Sequence, residues 1–374
     1  MNWKKQMINN FEKIVIKIGS SSIIDNKTKK INSKWLNSLC DDISTINKTK
    51  KIIIVCSGAI ALGAQTIKTK KPLRRLEDKQ AAAAIGQIEL AHNWKKRLIK
   101  KKIDSAQILL TLEDSEVRRR YLNARKTINA LHANNVIPII NENDTVATEE
   151  IRYGDNDRLA ARVAQMIDAD LLVLLSDIDG LYTSNPLKDK KAKKINEVFL
   201  IDKKIEKMAS SQSSNIGSGG MTTKIWAAKI CMSSGCSTII TNNNKKNPLL
   251  DINPKNSTIF YAQHSPSSSR KKWLLNHLHP SGIIIVDNGA LKAILQNKSL
   301  LPAGILDVKG KFNRGDVISI VSLNNNKIGI GVSAYDSSEA KKIIGKNTKD
   351  ISMILGYEGR DEMIHKDDLV KIAK

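Results

Sequence analysis

Several features are scarce in this chain or missing from it. No apolar run approaches the roughly 18–20 residues of a membrane-crossing helix, so no membrane span is expected. The first ten residues are polar and lack the apolar centre of an export signal, which points to a cytoplasmic protein. There are four cysteines. Cys40, Cys56, Cys231 and Cys236 make no C-x-x-C pair, and no histidine lies close enough in sequence to suggest a zinc site. They read as reduced thiols, mostly buried. The Gly-x-x-x-x-Gly-Lys-Ser/Thr order of a Walker A loop is absent, and no internal repeat is visible. Acidic residues are outnumbered, 37 against 61 basic ones, for a net charge of +24. The excess is scattered through Lys/Asn tracts such as 47–51, 188–194 and 242–247, as on a solvated surface written by an AT-rich genome. It would still speed the arrival of any anionic ligand.

What is present starts with Asn215-Ile216-Gly217-Ser218-Gly219-Gly220-Met221-Thr222-Thr223-Lys224. Glycines allow close backbone approach to a ligand, and a helix start offers unpaired N–H groups and a positive dipole end. A lysine one turn in adds a full charge, so the segment is a candidate cradle for a polyphosphate.

At 374 residues the chain has room for roughly two domains of about 150 residues. From residue 11 to about 242, apolar strands alternate with helical patterns. Strands are predicted at 13–18, 51–55, 107–111, 136–140, 171–175 and 237–241. Helices are predicted at 35–46, from 57–59 onward, and at 80–99, 120–134, 157–167 and 221–234. This alternation predicts an α/β fold, a parallel-rich sheet sandwiched by helices. In such sheets ligands lie beyond the carboxyl ends of the strands. Gly19–Ser22, Ser57-Gly58, Asn141-Glu142-Asn143-Asp144 and Ser176-Asp177 each follow a strand, which places them at one shared site. Residues 242–280 are polar with several prolines and read as a linker plus one helix around 270–278. From 281 the chain turns β-rich, with strands predicted at 283–286, 304–308, 316–322 and 328–332 and a helix at 337–344, as in a small β-barrel-like domain. The boundaries are then 1–265 for the first domain, 266–280 for the linker, 281–360 for the second domain and 361–374 for a C-terminal tail.

Lys17 stands in an otherwise apolar run at the end of the first strand, where a phosphate ligand would explain it better than a snorkelling side chain. Asp144, Asp155, Asp157 and Asp177 form the acidic set; each is also a normal helix cap or turn residue by itself. None of the six histidines lies in these segments. A hydroxyl acceptor for phosphoryl transfer would usually want a base. A carboxylate acceptor is already ionised at neutral pH and needs charge neutralisation instead. Lysines and a metal supply that, so the residues favour transfer to a carboxylate.

In this order, Val15-Ile16-Lys17-Ile18-Gly19-Ser20, Ser57-Gly58-Ala59-Ile60, Leu122-Asn123-Ala124-Arg125, the run Ile140 to Thr148, Gly154-Asp155-Asn156-Asp157, Ser176-Asp177 with Gly180-Leu181-Tyr182, and Gly217 to Lys224 resemble the amino acid kinase family, on its glutamate-phosphorylating branch. Leu301-Pro302-Ala303-Gly304-Ile305 and Phe312-Asn313-Arg314-Gly315-Asp316 resemble a PUA domain, and Leu355-Gly356-Tyr357-Glu358 fits it too. The resemblance covers nearly the whole chain.

It implies transfer of phosphate from ATP to the side-chain carboxylate of L-glutamate, with Mg²⁺, as the first step of proline synthesis. It implies that Lys17 and Lys224 hold the transferring group and that Asp157 orients them. Ser57, Asp144 and Asn156, with Asn141 nearby, would bind glutamate. Lys17, Ser176, Asp177, Ser218, Gly219, Gly220, Met221, Thr222, Thr223 and Lys224 would bind ATP. Which residues, if any, ligate Mg²⁺ stays open. Proline as feedback inhibitor and a homo-oligomer are implied as well, with glutamyl-phosphate reductase a candidate partner. Ser20, Ser176 and Ser218 stand where the family commonly has threonine, and each keeps the hydroxyl. Two alternatives remain. One is another acceptor: acetylglutamate, aspartate or a nucleoside monophosphate. The other is an RNA-binding or RNA-modifying protein that uses the PUA-like part and the basic charge.

Overall fold

The computed structural model describes residues 8–25, 28–67, 73, 75–147, 156–211, 220–242, 246–265 and 280–371. They divide into two units, Met1–Pro266 and Ser267–Lys374.

The first unit is built on strands β1 (Lys13–Ile18), β2 (Lys51–Cys56), β3 (Asp104–Leu110), β4 (Val136–Glu142) and β5 (Leu171–Ser176), with the short β6 (Leu181–Tyr182), β7 (Lys194–Ile195) and β8 (Glu197–Val198), then β9 (Ser237–Asn242) and β10 (Ser257–Phe260). The main sheet has eight strands in the order β3-β4-β2-β1-β5-β9-β10-β8, while β6 and β7 pair separately. Every pairing from β3 to β9 is parallel; β10 runs antiparallel to β9. The central strands are continuous apolar runs because helices cover both faces. Among the described residues, no helix is long and apolar enough to cross a membrane.

Strand parity divides the core in two. Ile14, Ile16 and Ile18 of β1 join one apolar cluster with α2 (Ser33–Ile46) and α4 (Leu76–Ile99), through Leu36, Leu39, Leu90 and Trp94. Val15 points the other way, into a cluster with α6 (Arg118–Ala133), α7 (Asn156–Met166) and α9 (Met221–Ser233). Side chains two apart share a face, so Lys17 lies on Val15's side, under α7 and α9. All four cysteines are buried and unpaired.

The region read as polar linker returns to the sheet. Buried Asp42 on α2 accepts hydrogen bonds from Asn247 Nδ2 (2.7 Å) and from the backbone N–H groups of Leu249 (2.9 Å) and Leu250 (3.2 Å). That anchored turn leads into β10, which the sequence reading did not anticipate. The helix expected at 270–278 lies outside the described residues.

In the second unit, β11 (Gly282–Val286), β12 (Ile305–Gly310), β13 (Val317–Ser322), β14 (Lys327–Val332) and β15 (Leu369–Lys371) form one sheet in the order β12-β11-β13-β14-β15. Only β11 and β13 pair in parallel. Two features were not predicted. Helix α10 (Asn288–Leu295) is capped by Asp287 Oδ1, which accepts from Ala290 N at 2.7 Å. Strand β15 comes from the stretch expected to be a tail. Helix α11 (Ser337–Ile343) forms where a helix was expected; its capping box joins Asp336 and Glu339.

The short helix α3 (Ala59–Gly63) crosses α4 backbone to backbone. A Cβ on Gly63 would sit 1.8 Å from the Ala82 carbonyl oxygen, and one on Gly86 would sit 1.9 Å from that of Ala59. Backbone cannot swing aside as a side chain can. Gly86→Ala should therefore destabilise the first unit by about 1–3 kcal/mol or more, seen as a lower thermal midpoint. An unchanged midpoint would mean that the helices separate at no cost.

Candidate active site

Lys17 is the fifth residue of β1, between β2 and β5, and its ammonium reaches across to the first turn of α7. There Nζ lies 2.5 Å from Asp157 Oδ1. Lys224, in the first turn of α9, places Nζ 3.1 Å from Asp157 Oδ2. Thr223 Oγ1 donates to the same Oδ2 at 3.2 Å. All three charged side chains are buried. Burial works against charge on Asp157, but the two ammonium groups outweigh it and hold the carboxyl well below the usual carboxylate range. The starts of α7 and α9 thus meet above β1, and both present the positive ends of their dipoles there. Outside this cluster, the Arg158 guanidinium stacks 4.6 Å from the centroid of Trp226, joining the same two helices.

Asn156 immediately precedes Asp157. Its Nδ2 donates to the Cys56 carbonyl at 2.6 Å and to Asn141 Oδ1 at 3.0 Å. Asn141 Nδ2 in turn donates to Gln87 Oε1 at 2.6 Å. The ends of β2 and β4 and the face of α4 are therefore tied to the first turn of α7. Ser57 is the next residue after Cys56. Gly58 follows with φ +114, a left-handed conformation that glycine adopts readily, and this turn starts α3. Asp144 lies in the turn after β4, half-buried, with no ionic partner among the described residues. Burial alone pushes its carboxyl up to about 6. Gln80 Nε2 holds this turn through the Ala147 carbonyl at 3.3 Å.

On the other side of β1, Ser176 Oγ donates to Asp177 Oδ1 at 2.9 Å, and Asn242 Nδ2 at the end of β9 reaches the Asp177 carbonyl at 3.4 Å. Gly220 is the N-cap of α9; Met221 is buried and Thr222 exposed. Ser218 and Gly219, like Asp155, lie outside the described residues. The structure thus brings Lys17, Asp157, Thr223 and Lys224 together. It joins Asn141 and Asn156 beside Ser57, and sets Ser176 and Asp177 at the neighbouring strand end.

Gln80 and Gln87 were missed. Their only trace in the sequence is a seven-residue spacing on one face of an alanine-rich helix, next to the tightly packed Gly86.

Among the described residues, no group of three or more His, Cys, Asp or Glu side chains is arranged to hold a metal. Asp157 has both oxygens engaged. Asp177 is exposed, with one oxygen accepting from Ser176. Among the described residues, Asp177 is thus the site carboxylate with an oxygen open to a metal ion brought in on nucleotide phosphates.

A parallel sheet with basic side chains and helix starts gathered at its carboxyl edge defines a phosphoryl-handling α/β protein. Residues 12–242 match the amino acid kinase family, and the chain belongs to that family. Residues 282–355 match the PUA domain. A glutamate 5-kinase of Agrobacterium fabrum is 50% identical over 372 residues, covering 99% of this chain and 95% of that one. The glutamate 5-kinase of Paramagnetospirillum magneticum is 48% identical over 361 residues, covering 96% and 97%. Among solved structures, carbamate kinase from Giardia lamblia bound to AMP-PNP aligns with a TM-score of 0.48 at 17% identity, over 67% of this chain and 99% of that one.

The two carboxyl groups should titrate far apart. In ¹³C-detected NMR of aspartate-labelled protein without ligand, Asp144 should change charge at about 6. The Asp157 resonance should stay that of a carboxylate through that range. An Asp144 midpoint near 4 would show that the turn is more hydrated than the fold implies.

Proposed function

We propose that this chain is an ATP-dependent kinase that phosphorylates the side-chain carboxylate of L-glutamate, giving L-glutamyl 5-phosphate, the first step of proline synthesis. The observation that carries the reading is the pair of buried ammonium groups, Lys17 and Lys224, on opposite oxygens of one buried carboxylate. The cluster has a net positive charge at the carboxyl ends of parallel strands, where the family's substrates must meet.

The chemistry follows from charge. A glutamate carboxylate oxygen attacks the γ-phosphorus of ATP. The new O–P bond forms as the bond from phosphorus to the β,γ-bridging oxygen breaks, and ADP leaves with the electron pair. No proton has to be removed from the nucleophile, so the lack of a histidine among the clustered residues is no obstacle. The obstacle is repulsion: two unit charges 4 Å apart repel by about 4 kcal/mol even at an effective dielectric of 20. Lys17 and Lys224 offset this by facing the transferring phosphoryl group, and their charge matters most as negative charge spreads over its oxygens. Asp157 keeps the two ammonium groups within reach of each other. Mg²⁺, when bound with the nucleotide, neutralises phosphate charge, with Asp177 the exposed carboxylate on the nucleotide side.

Ser176, Asp177 and residues 218–224 hold the nucleotide in this reading. Ser57, Asn141, Asp144 and Asn156 hold glutamate. Asp144 suits the α-ammonium, because a carboxylate without an ionic partner gains most from a cation. An RNA-directed function would leave the buried Lys17–Asp157–Lys224 cluster without a purpose.

Purified protein with ATP, Mg²⁺, glutamate and hydroxylamine should yield the hydroxamate of an acyl phosphate, and aspartate or acetylglutamate should yield far less. No product with glutamate would refute the reading. Lys224→Ala should lower kcat by roughly 10²–10³ with the fold intact; a fully active variant would remove this lysine from the mechanism.

The pH dependence has a definite sign. Above about 6 the free protein carries Asp144 as a carboxylate that attracts the ammonium of glutamate; below it the group is neutral. kcat/KM for glutamate should therefore fall as pH drops through about 6. kcat should not fall there, because bound ammonium pulls the Asp144 titration lower. Asp144→Asn should erase that limb and raise the glutamate KM. A limb that survives the substitution belongs to another group.

A further inference from the structure

We propose that Gln87, on α4, is a positioning residue that orients the Asn141–Asn156 amide pair so that Asn156 offers an oxygen to the α-ammonium of glutamate. The proposal rests on the kinase reading above and adds a residue to it.

The direction of this hydrogen-bond chain follows from one fixed point. The Cys56 backbone carbonyl can only accept, so the Asn156 atom 2.6 Å from it is Nδ2. The same Nδ2 has a second proton, and it points to Asn141 at 3.0 Å, which must therefore present Oδ1. The other end of the Asn141 amide is then Nδ2, and its neighbour at 2.6 Å on Gln87 must be the acceptor Oε1. Each amide thus has one allowed orientation. Both protons of Asn156 Nδ2 are used, while Asn156 Oδ1 has no hydrogen-bond partner among the described residues. Asn156 is almost fully buried and both protons of its Nδ2 are committed, so Oδ1 is the atom of this side chain left for a ligand's donor. Both ends of glutamate that carry carboxylates are acceptors. Its only cationic donor is the α-ammonium, and that is the group this oxygen fits.

Gln87 matters because Asn141 is also nearly fully buried. With no acceptor at position 87, Asn141 Nδ2 loses the hydrogen-bond partner it has among the described residues. Turning the Asn141 amide over would set its NH₂ against the NH₂ of Asn156 and push Asn156 off Cys56. The disturbance reaches Asn156, one residue from Asp157, without Gln87 touching the reacting atoms. The helix is well placed for this role. Gly86 packs against α3 at a distance that allows no Cβ, which holds α4 close to the strand ends. Gln80, two turns earlier on the same face, secures the turn that carries Asp144.

The test compares three substitutions in the full-length enzyme: Gln87→Met removes the acceptor and keeps the length, Gln87→Lys supplies only donors, and Gln87→Glu keeps an acceptor. Gln87→Met and Gln87→Lys should raise the glutamate KM by roughly tenfold or more, with the ATP KM within about twofold. Gln87→Glu should restore the glutamate KM to within about threefold of wild type. Glutarate, which keeps both carboxylates and lacks the ammonium, should bind wild type weakly and lose little further in Gln87→Met. The inference is overturned by an unchanged glutamate KM in Gln87→Met, by Gln87→Glu failing as badly as Gln87→Met, or by an equal loss of affinity for glutarate. Wild type that makes no hydroxamate from glutamate would refute the kinase reading instead, before any variant is compared. Should Gln87→Met not fold, the contrast between Gln87→Lys and Gln87→Glu decides.

Discussion

The carboxylate of Asp157 is the constraint from which the rest of this site follows. Two lysine side chains buried near each other repel, and each alone would be costly to remove from water. Placing one on each oxygen of a single buried carboxylate resolves both problems and leaves a net positive charge. That arrangement requires Lys17 on the face of β1 that α7 and α9 cover, and it requires the first turns of those two helices side by side. Strand parity meets the first requirement, and the small residues Ala160, Ala161, Ala164, Ala227 and Ala228 meet the second by letting the helices pack closely on the sheet. The cluster is structural before any ligand arrives, yet its charge balance is suited to an anion.

The first turn of α7 also carries the link between charge handling and recognition. Asn156 and Asp157 are consecutive, so an amide network that reaches β2, β4 and α4 shares its backbone with the carboxylate that holds both lysines. A shift in either network is felt by the other. Such coupling suits a reaction in which attack geometry, rather than a proton donor or acceptor, limits the rate. The same logic explains why three strand ends and two helix starts converge here, while the second unit keeps its own core around Ile284, Ile318, Tyr335 and Met363.

The sequence was most legible where a residue contradicted its surroundings. Lys17 in an apolar strand and the Asn/Asp density after β4 both stood out, and the structure brings Lys17 and Asn141 to the same end of the sheet. The alternation of strands and helices was readable because parallel strands buried on two faces must be apolar throughout. What was missed depends on distant partners. Ser257–Phe260 looks polar and short, and becomes a strand because β9 and β8 flank it and Asp42 fixes the turn before it. Leu369–Lys371 is a strand only beside β14. Gln87 on a helix surface looks like any solvated side chain; its meaning comes from Asn141, 54 residues away.

Two carboxyl groups of this site behave in opposite ways. Asp157 and Asp144 both sit in sheltered positions, and burial pushes both toward the neutral form. Two lysines overcome that push at Asp157, so its charge is committed to holding the cluster together. No ionic partner among the described residues overcomes it at Asp144, so its charge is poorly compensated until a cation arrives. A site that had to bind two anions and one ammonium group would need this asymmetry: a carboxylate already spent on keeping cations in place, and another still unsatisfied. The first makes room for negative charge. In the proposed kinase reading, the second would give the amino end of a small dicarboxylate a reason to enter in one orientation, with its distal carboxylate turned toward the lysines.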